Sequence, residues 1–135
     1  MNILLIILLV SFPPEDKIKI NNVWMRTSSQ NMATALYFTI ENTSEKADTL
    51  FRVDSDIAGK VEIHETYSQG DMMGMRKVDF LVIKSKKNLE LKPGSYHVML
   101  MKLKEDVNDG DKDNFVLHFK QAGEINVTAT AKKSN

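Results

Sequence analysis

The chain has 135 residues, the length of a single domain, and 42% of them are hydrophobic, enough to form a buried core. The 18 basic and 18 acidic residues give a formal net charge of zero, which argues against a nucleic-acid partner and against electrostatic binding to an anionic membrane surface. The chain contains no cysteine, so disulfides and thiolate metal ligands are excluded.

The chain begins with an apolar run from Ile3 to Val10, which is followed by Ser11 and by the pair Pro13-Pro14. Its eight residues are too few to cross a bilayer, which needs about 20 residues. The run is typical of a secretory signal, although no Lys or Arg precedes it and no small-x-small cleavage site follows it. The alternative is a hydrophobic first strand. We expect a signal-peptide-like leader over 1–14 and one exported domain, without stable membrane insertion, over 15–135.

After this leader the sequence alternates between short runs that favour β-strands and clusters of turn residues. The runs lie around Ile18 to Trp24, Leu36 to Ile40 and Leu50 to Val53, and at 60–66, 75–83, 89–91, 95–103, 114–120 and 124–131. The turn signals lie at 41–44, 69–71, 92–94, 108–111 and 122–123. Eight or nine strands at this spacing, with no long helical periodicity, predict an antiparallel sandwich or barrel. We expect the polar tail 131–135 to fray.

Three of these runs place histidine and methionine side chains away from the predicted core. Successive side chains of a strand point to opposite faces. In 60–66 and 95–103 the other face carries the apolar residues, and beside Met73 and Met75 the other face carries Gly74 and Arg76. The side chains that face outward are His64, Met73, Met75, His97, Met99 and Met101. Packing alone does not explain this arrangement.

Four of these residues are separated by fixed distances along the chain. Ten residues separate His64 from Met75, twenty-one separate Met75 from His97, and one separates His97 from Met99. Imidazoles and thioethers without a thiolate form a soft, neutral ligand set, which suits Cu(I) best. The pattern therefore indicates a copper-handling protein rather than an enzyme.

The other histidine and methionine residues have simpler interpretations. His118 is predicted to be a solvated polar residue, and Met25 and Met32 are predicted to fill gaps in the core. For Met72 and Met101 two interpretations stay open, as core methionines or as spare thioethers near a Cu(I) site. We also consider the hypothesis that Glu65 orients an imidazole, against the alternative of a solvated charge.

The spacing His-x10-Met-x21-His-x-Met resembles the signature of the PCu(A)C family of periplasmic copper chaperones. The resemblance covers roughly residues 17–130 and is carried by 61–65 (VEIHE), 72–76 (MMGMR), 91–94 (LKPG) and 96–101 (YHVMLM). It implies an all-β fold, a cupredoxin-like antiparallel β-sandwich with Greek-key connections in a single domain.

The same resemblance implies that one Cu(I) per chain is bound near the surface by His64, Met75, His97 and Met99. It also implies a periplasmic protein that delivers copper to the CuA site of cytochrome c oxidase, directly or through other assembly factors. We expect a monomer.

Some members of the family hold a second copper in a C-terminal extension rich in His and Met. Because 131–135 contains neither residue, a second site of that kind is not expected.

Some alternative functions stay open, and the ligand chemistry argues against others. A copper-storage or scavenging protein would use the same four ligands, and a structural β-sandwich would carry them without a metal role. An electron-transfer cupredoxin is excluded because its copper site needs a Cys thiolate, and this chain has no Cys. Zinc is a weaker candidate than copper because zinc sites use Cys, His and carboxylates, whereas two of the four candidate ligands here are thioethers. No nucleophile motif such as G-x-S-x-G is present, which argues against a hydrolase.

Overall fold

The computed structural model describes Ile6, Ile7, Leu9 and residues 17–133. Most of the predicted leader therefore lies outside the described residues. The three leader positions that are described belong to no strand and are exposed. Over the described ranges, no helix has the length and apolar character needed to cross a bilayer.

Ten β-strands cover most of residues 17–133. They are β1 (Ile18–Arg26), β2 (Thr34–Asn42), β3 (Asp48–Ser55), β4 (Ala58–Gln69), β5 (Met72–Val78), β6 (Leu81–Ile83), β7 (Asn88–Leu91), β8 (Tyr96–Leu103), β9 (Lys112–Phe119) and β10 (Gly123–Lys132). The turns between them follow the sequence signals. At Lys92–Ser95, for example, the Ser95 amide donates to the Lys92 carbonyl at 3.0 Å, and Gly94 adopts a φ of 83° that favours glycine.

The strands form one continuous hydrogen-bonded sheet in the order β5-β4-β8-β2-β1-β10-β9-β3-β6, with β7 paired to β2. The sheet folds over so that β3 packs against β4, and the fold is the all-β, cupredoxin-like arrangement that was predicted. One pair of strands departs from the antiparallel pattern, because β1 and β10 pair in parallel. A parallel pair needs a long connection, and here all the other strands lie between these two in sequence.

The core lies between the two halves of the folded sheet and is made by alternate residues of the strands. Its largest fully buried side chains are Phe38, Phe115, Met25, Leu36, Ile40, Leu50, Ile83, Leu91, Leu100, Leu103, Leu117 and Val98. The prediction for Met25 is therefore confirmed. The prediction for Met32 is wrong, since this residue lies in the bend between β1 and β2 and is 60% exposed.

Two predicted boundaries differ from the structure. The run 75–83 is not one strand, because the chain leaves β5 at Val78 and enters β6 at Leu81. These strands lie at opposite ends of the sheet order, so the chain must cross between the two edges.

The C-terminal tail does not fray at its start, since β10 continues to Lys132 with Ala131 buried. Residues 134–135 lie outside the described part.

Candidate metal centre

The register of β4 with its two neighbours brings the four predicted ligands onto one face of the sheet. His64 of β4 lies directly opposite His97 of β8, Met99 lies opposite Glu62, and Met75 of β5 lies opposite Thr66. Directly opposed residues share a face, and residues two apart on β4 also do. All four side chains therefore project from the outer face of β5, β4 and β8, on the side away from the core.

The two imidazoles lie close together and are largely shielded from water. Their ring centroids are 5.6 Å apart at an interplanar angle of 65°. His97 is only 2% exposed, and the side chain of His64 is 15% exposed. The cross-strand pairing of β4 and β8 thus fixes two nitrogen-bearing rings side by side at a protected position.

One nitrogen on each ring is buried and has no hydrogen-bond partner: Nδ1 of His64 and Nε2 of His97. Leaving a buried polar atom unpaired costs roughly 1–3 kcal/mol, so native structures rarely keep two such atoms together without a reason. A metal ion bound between the rings would satisfy both atoms at once. The residues present therefore fit a metal that accepts imidazole ligands.

The two thioethers flank this pair from different environments. Met75 is 58% exposed, whereas Met99 is half-buried between β4 and β2. Because Met75 pairs with Thr66 and Met99 pairs with Glu62, each lies two residues along the strands from the His64–His97 pair. The resulting set of two imidazoles and two thioethers is soft and neutral, as Cu(I) prefers. Within the described ranges, no group of three or more His, Cys, Asp or Glu residues forms a harder metal site.

The environment of His97 keeps its ring in the form that binds metals. Burial is the main cause that lowers the pKa of His97, with smaller contributions from His64 and Arg26. A hydrogen bond from the ring to the Ser95 backbone acts in the opposite direction but does not outweigh burial. The imidazole is therefore neutral over a wider pH range than an exposed one, and only the neutral ring is a ligand.

The carboxylate beside the site is Glu62, not Glu65. Glu62 Oε1 lies 3.8 Å from His64 Nε2. Glu65 projects from the opposite face of β4, where it forms an ion pair with Arg76 at 3.4 Å. The hypothesis that Glu65 orients an imidazole is therefore wrong. The strand alternation carried the signal for Glu62, since residues 62 and 64 share a face.

Burial tends to raise the pKa of Glu62, but the ammonium groups of Lys60 and Lys77 and the nearby His64 outweigh it and hold the pKa of this carboxyl below its ordinary value. The lysine Nζ atoms lie 3.5 Å and 3.6 Å from the Glu62 carboxylate oxygens. Glu62 is thus an ionised acceptor at neutral pH.

The other methionines near the site, Met72, Met73 and Met101, differ in the face of the sheet from which they project. Met101 lies opposite Lys60 and Met73 lies opposite Ser68, so both share the outer face with the four predicted ligands. Met72 lies opposite Gln69 and projects from the other face of the hairpin. A role as a spare ligand is thus compatible with the placement of Met73 and Met101.

His118 differs from the prediction of a solvated residue. Its side chain is only 14% exposed, and its Nε2 lies 2.8 Å from Asp54 Oδ2. Its Nδ1 lies 3.6 Å from Glu124 Oε1. His118 is on β9, which lies in the other half of the sheet, between β10 and β3, and it takes no part in the metal centre.

Sequence comparisons identify relatives over most of the described residues. A family described as "Putative lipoprotein LpqE-like" matches residues 18–131. Protein RP573 of Rickettsia prowazekii is 39% identical over 87 residues, which are 64% of this chain and 48% of that protein. A protein named "Putative lipoprotein Lxx21020", of Leifsonia xyli subsp. xyli, is 25% identical over 118 residues, which are 87% of this chain and 70% of that protein. The chain spans about half the length of the first of these relatives.

Solved structures share the fold. The copper-bound PCuAC domain from PmoF2 superposes with a TM-score of 0.74 and 24% identity, covering 87% of this chain and 94% of that domain. Apo-DR1885 from Deinococcus radiodurans superposes with a TM-score of 0.67 and 25% identity, covering 95% of both chains. Its Cu(I) form gives 0.66 and 29% identity, covering 85% of this chain and 79% of that one.

The fold and these matches define a domain of the PCuAC type. The chain belongs to the LpqE-like family, and the family that the sequence motifs indicated is confirmed.

Proposed function

We propose that this protein is a copper chaperone: it binds one Cu(I) per chain through His64, Met75, His97 and Met99 and passes it to another protein. The observation that carries this proposal is one buried, unpartnered nitrogen on each of two imidazoles whose ring centroids lie 5.6 Å apart. The thioethers on the same outer face supply the remaining ligands. Two of the structural relatives, the PmoF2 domain and DR1885, are known in copper-bound forms, which supports copper as the ion.

The donor set explains how the ion would be held. All four ligands are neutral, so the bound ion keeps its single positive charge. Thioethers disfavour Cu(II), which prefers harder nitrogen and oxygen ligands. They also bind without losing a proton, so only the two imidazoles make affinity depend on pH. The site therefore favours Cu(I) over Cu(II).

The unequal exposure of the ligands suggests an order of release. Met75 is 58% exposed, whereas His97 is almost fully buried. A receiving protein can replace the Met75 thioether first, because this flexible side chain moves without backbone motion. The buried imidazole of His97 then leaves last. Copper can pass from one protein to the other without becoming a free ion.

For the destination, we propose the CuA site of cytochrome c oxidase, reached directly or through other assembly factors. We also propose that the protein is exported to the periplasm and acts as a monomer. The apolar run at 3–10 and the lipoprotein family to which the chain belongs support export. In this role the protein catalyses no reaction.

Anaerobic titration with Cu(I) against a chromophoric competing chelator tests the binding step. We expect one Cu(I) per chain, with X-ray absorption showing mixed nitrogen and sulfur scattering that loses sulfur in Met75→Ala. Incubation of the copper-loaded protein with an apo CuA domain tests the delivery step. Retention of the copper by the donor would indicate storage, and failure to bind Cu(I) would refute the proposal.

A further inference from the structure

We infer that Glu62 is a positioning residue that fixes the His64 ring, so that the two histidines bind the metal through different nitrogens. His64 then uses Nδ1 and His97 uses Nε2. The inference rests on the proposed Cu(I) site. It adds which atom of each ring is the ligand and which residue determines it.

On each ring, one buried nitrogen has no partner, and the other nitrogen faces an acceptor group. The His97 ring donates to the Ser95 backbone, and since its Nε2 has no partner, the donor is Nδ1. The His64 ring has the reverse arrangement, because Nε2 faces the Glu62 carboxylate at 3.8 Å and Nδ1 has no partner. Histidines that bind metals almost always donate their second ring N–H to a carboxylate or a backbone carbonyl. The His97 ring follows this pattern through the Ser95 backbone, and the His64 ring has its carboxylate at 3.8 Å, close enough to form the same contact after a small side-chain movement.

Binding of both rings through Nε2 would bring Glu62 into the site. The His64 nitrogen that lies 3.8 Å from the carboxylate would then be the ligand atom. A hard, negatively charged oxygen beside Cu(I) would favour the oxidised ion and oppose the soft ligand set. With Nδ1 as the ligand, the ring itself separates Glu62 from the metal, and the carboxylate can accept a hydrogen bond from Nε2–H once the 3.8 Å separation shortens.

Glu62 can perform this role because it is itself held in place. Its side chain is only 14% exposed, and its two oxygens lie 3.5 Å from Lys60 Nζ and 3.6 Å from Lys77 Nζ. The two lysines lie on either side, since Lys60 is on the same strand and Lys77 is on β5 opposite His64. A carboxylate restrained in this way presents a fixed acceptor to the imidazole rather than a mobile charge.

Long-range proton–nitrogen correlation spectra of the full chain, labelled with 15N at histidine and loaded with Cu(I), test the inference directly. We expect a protonated Nε2 and a metal-bound Nδ1 for His64, and the reverse for His97. Spectra that show the same type of nitrogen bound to the metal in both rings would overturn the inference. If the wild-type chain binds no Cu(I), the proposed function fails first, and that result is distinct from a wrong nitrogen.

A set of variants separates positioning from general stability. Glu62→Ala should lower Cu(I) affinity by about 10- to 100-fold and should yield a mixture of His64 tautomers in the spectra. Glu62→Gln keeps an acceptor oxygen and should preserve the tautomer and most of the affinity. Glu65→Ala is the matched control on the other face of β4 and should behave as the wild type. Wild-type affinity and a single His64 tautomer in Glu62→Ala would contradict the role of Glu62.

Discussion

Two regions of the sheet carry histidine on the outer face, and they differ in what surrounds the rings. Over β4 and β8, His64 and His97 face each other, with one buried nitrogen free on each ring and methionines nearby. Over β9, His118 has a carboxylate near each ring nitrogen, from Asp54 and Glu124. The first arrangement leaves nitrogen lone pairs for a metal, whereas in the second both ring nitrogens face carboxylates. The neighbours, rather than the histidines themselves, determine which region forms a metal centre.

The largest expected difference between the two regions is in copper affinity. His97→Ala should weaken Cu(I) binding by more than the roughly 100-fold that the loss of an outer-shell partner causes, because it removes a ligand. His118→Ala should leave the Cu(I) affinity unchanged. Competition with a chromophoric Cu(I) chelator measures both. Comparable losses in the two variants would mean that the regions do not differ as described.

The methionines provide a second contrast, within one hairpin. Met75→Ala should reduce Cu(I) affinity and sulfur scattering while changing the free energy of unfolding by less than about 0.5 kcal/mol, since the side chain is 58% exposed. Met72→Ala is the matched control, because Met72 is 76% exposed but projects from the opposite face. X-ray absorption and chemical denaturation of the two variants make the comparison. Equal sulfur loss in both would show that proximity along the chain, rather than the face of the strand, determines ligation.

Strand alternation explains why so much of the site could be predicted from sequence. The period of two in 60–66 and 95–103 was enough to assign His64, His97 and Met99 to the face opposite Ile63 and Val98, and the structure has this arrangement. Sequence could not supply the register between strands, which places His64 opposite His97 rather than one residue away. That register is set by the long-range packing of the core.

The differences between the sequence-based predictions and the structure also arise from pairing between strands that are distant in sequence. The parallel pair β1–β10 joins segments near the two ends of the domain, and no local pattern reports such a contact. The division of 75–83 into β5 and β6 also follows from where each strand pairs. His118 looked solvated because its partner Asp54 lies on another strand, 64 residues away in sequence. Local periodicity predicts faces, while pairing between distant strands determines partners.

The pH dependence of stability should also distinguish the regions. Burial lowers the pKa of His97 in the folded state, below the value of about 6.5 in the unfolded chain. Between these values the unfolded state binds more protons, so the stability of the apo protein should fall as pH decreases below about 6.5. His97→Gln should show a smaller decrease between about pH 6.5 and pH 5, a window in which ordinary Asp and Glu residues stay ionised. Thermal unfolding in this range measures the difference, and equal slopes would contradict it.

The smallest expected effect concerns the two carboxylates around His118. Asp54 accepts a hydrogen bond from the ring at 2.8 Å and also pairs with Arg52 at 2.7 Å. Since its side chain is 42% exposed, solvent screening limits its contribution, and Asp54→Ala should cost about 1 kcal/mol. Glu124 is 3.6 Å from the ring and 70% exposed, so Glu124→Ala should change the free energy of unfolding by less than about 0.5 kcal/mol. Chemical denaturation measures both variants. If Glu124→Ala cost more than Asp54→Ala, the stronger contact of the His118 ring would lie on β10 rather than on β3.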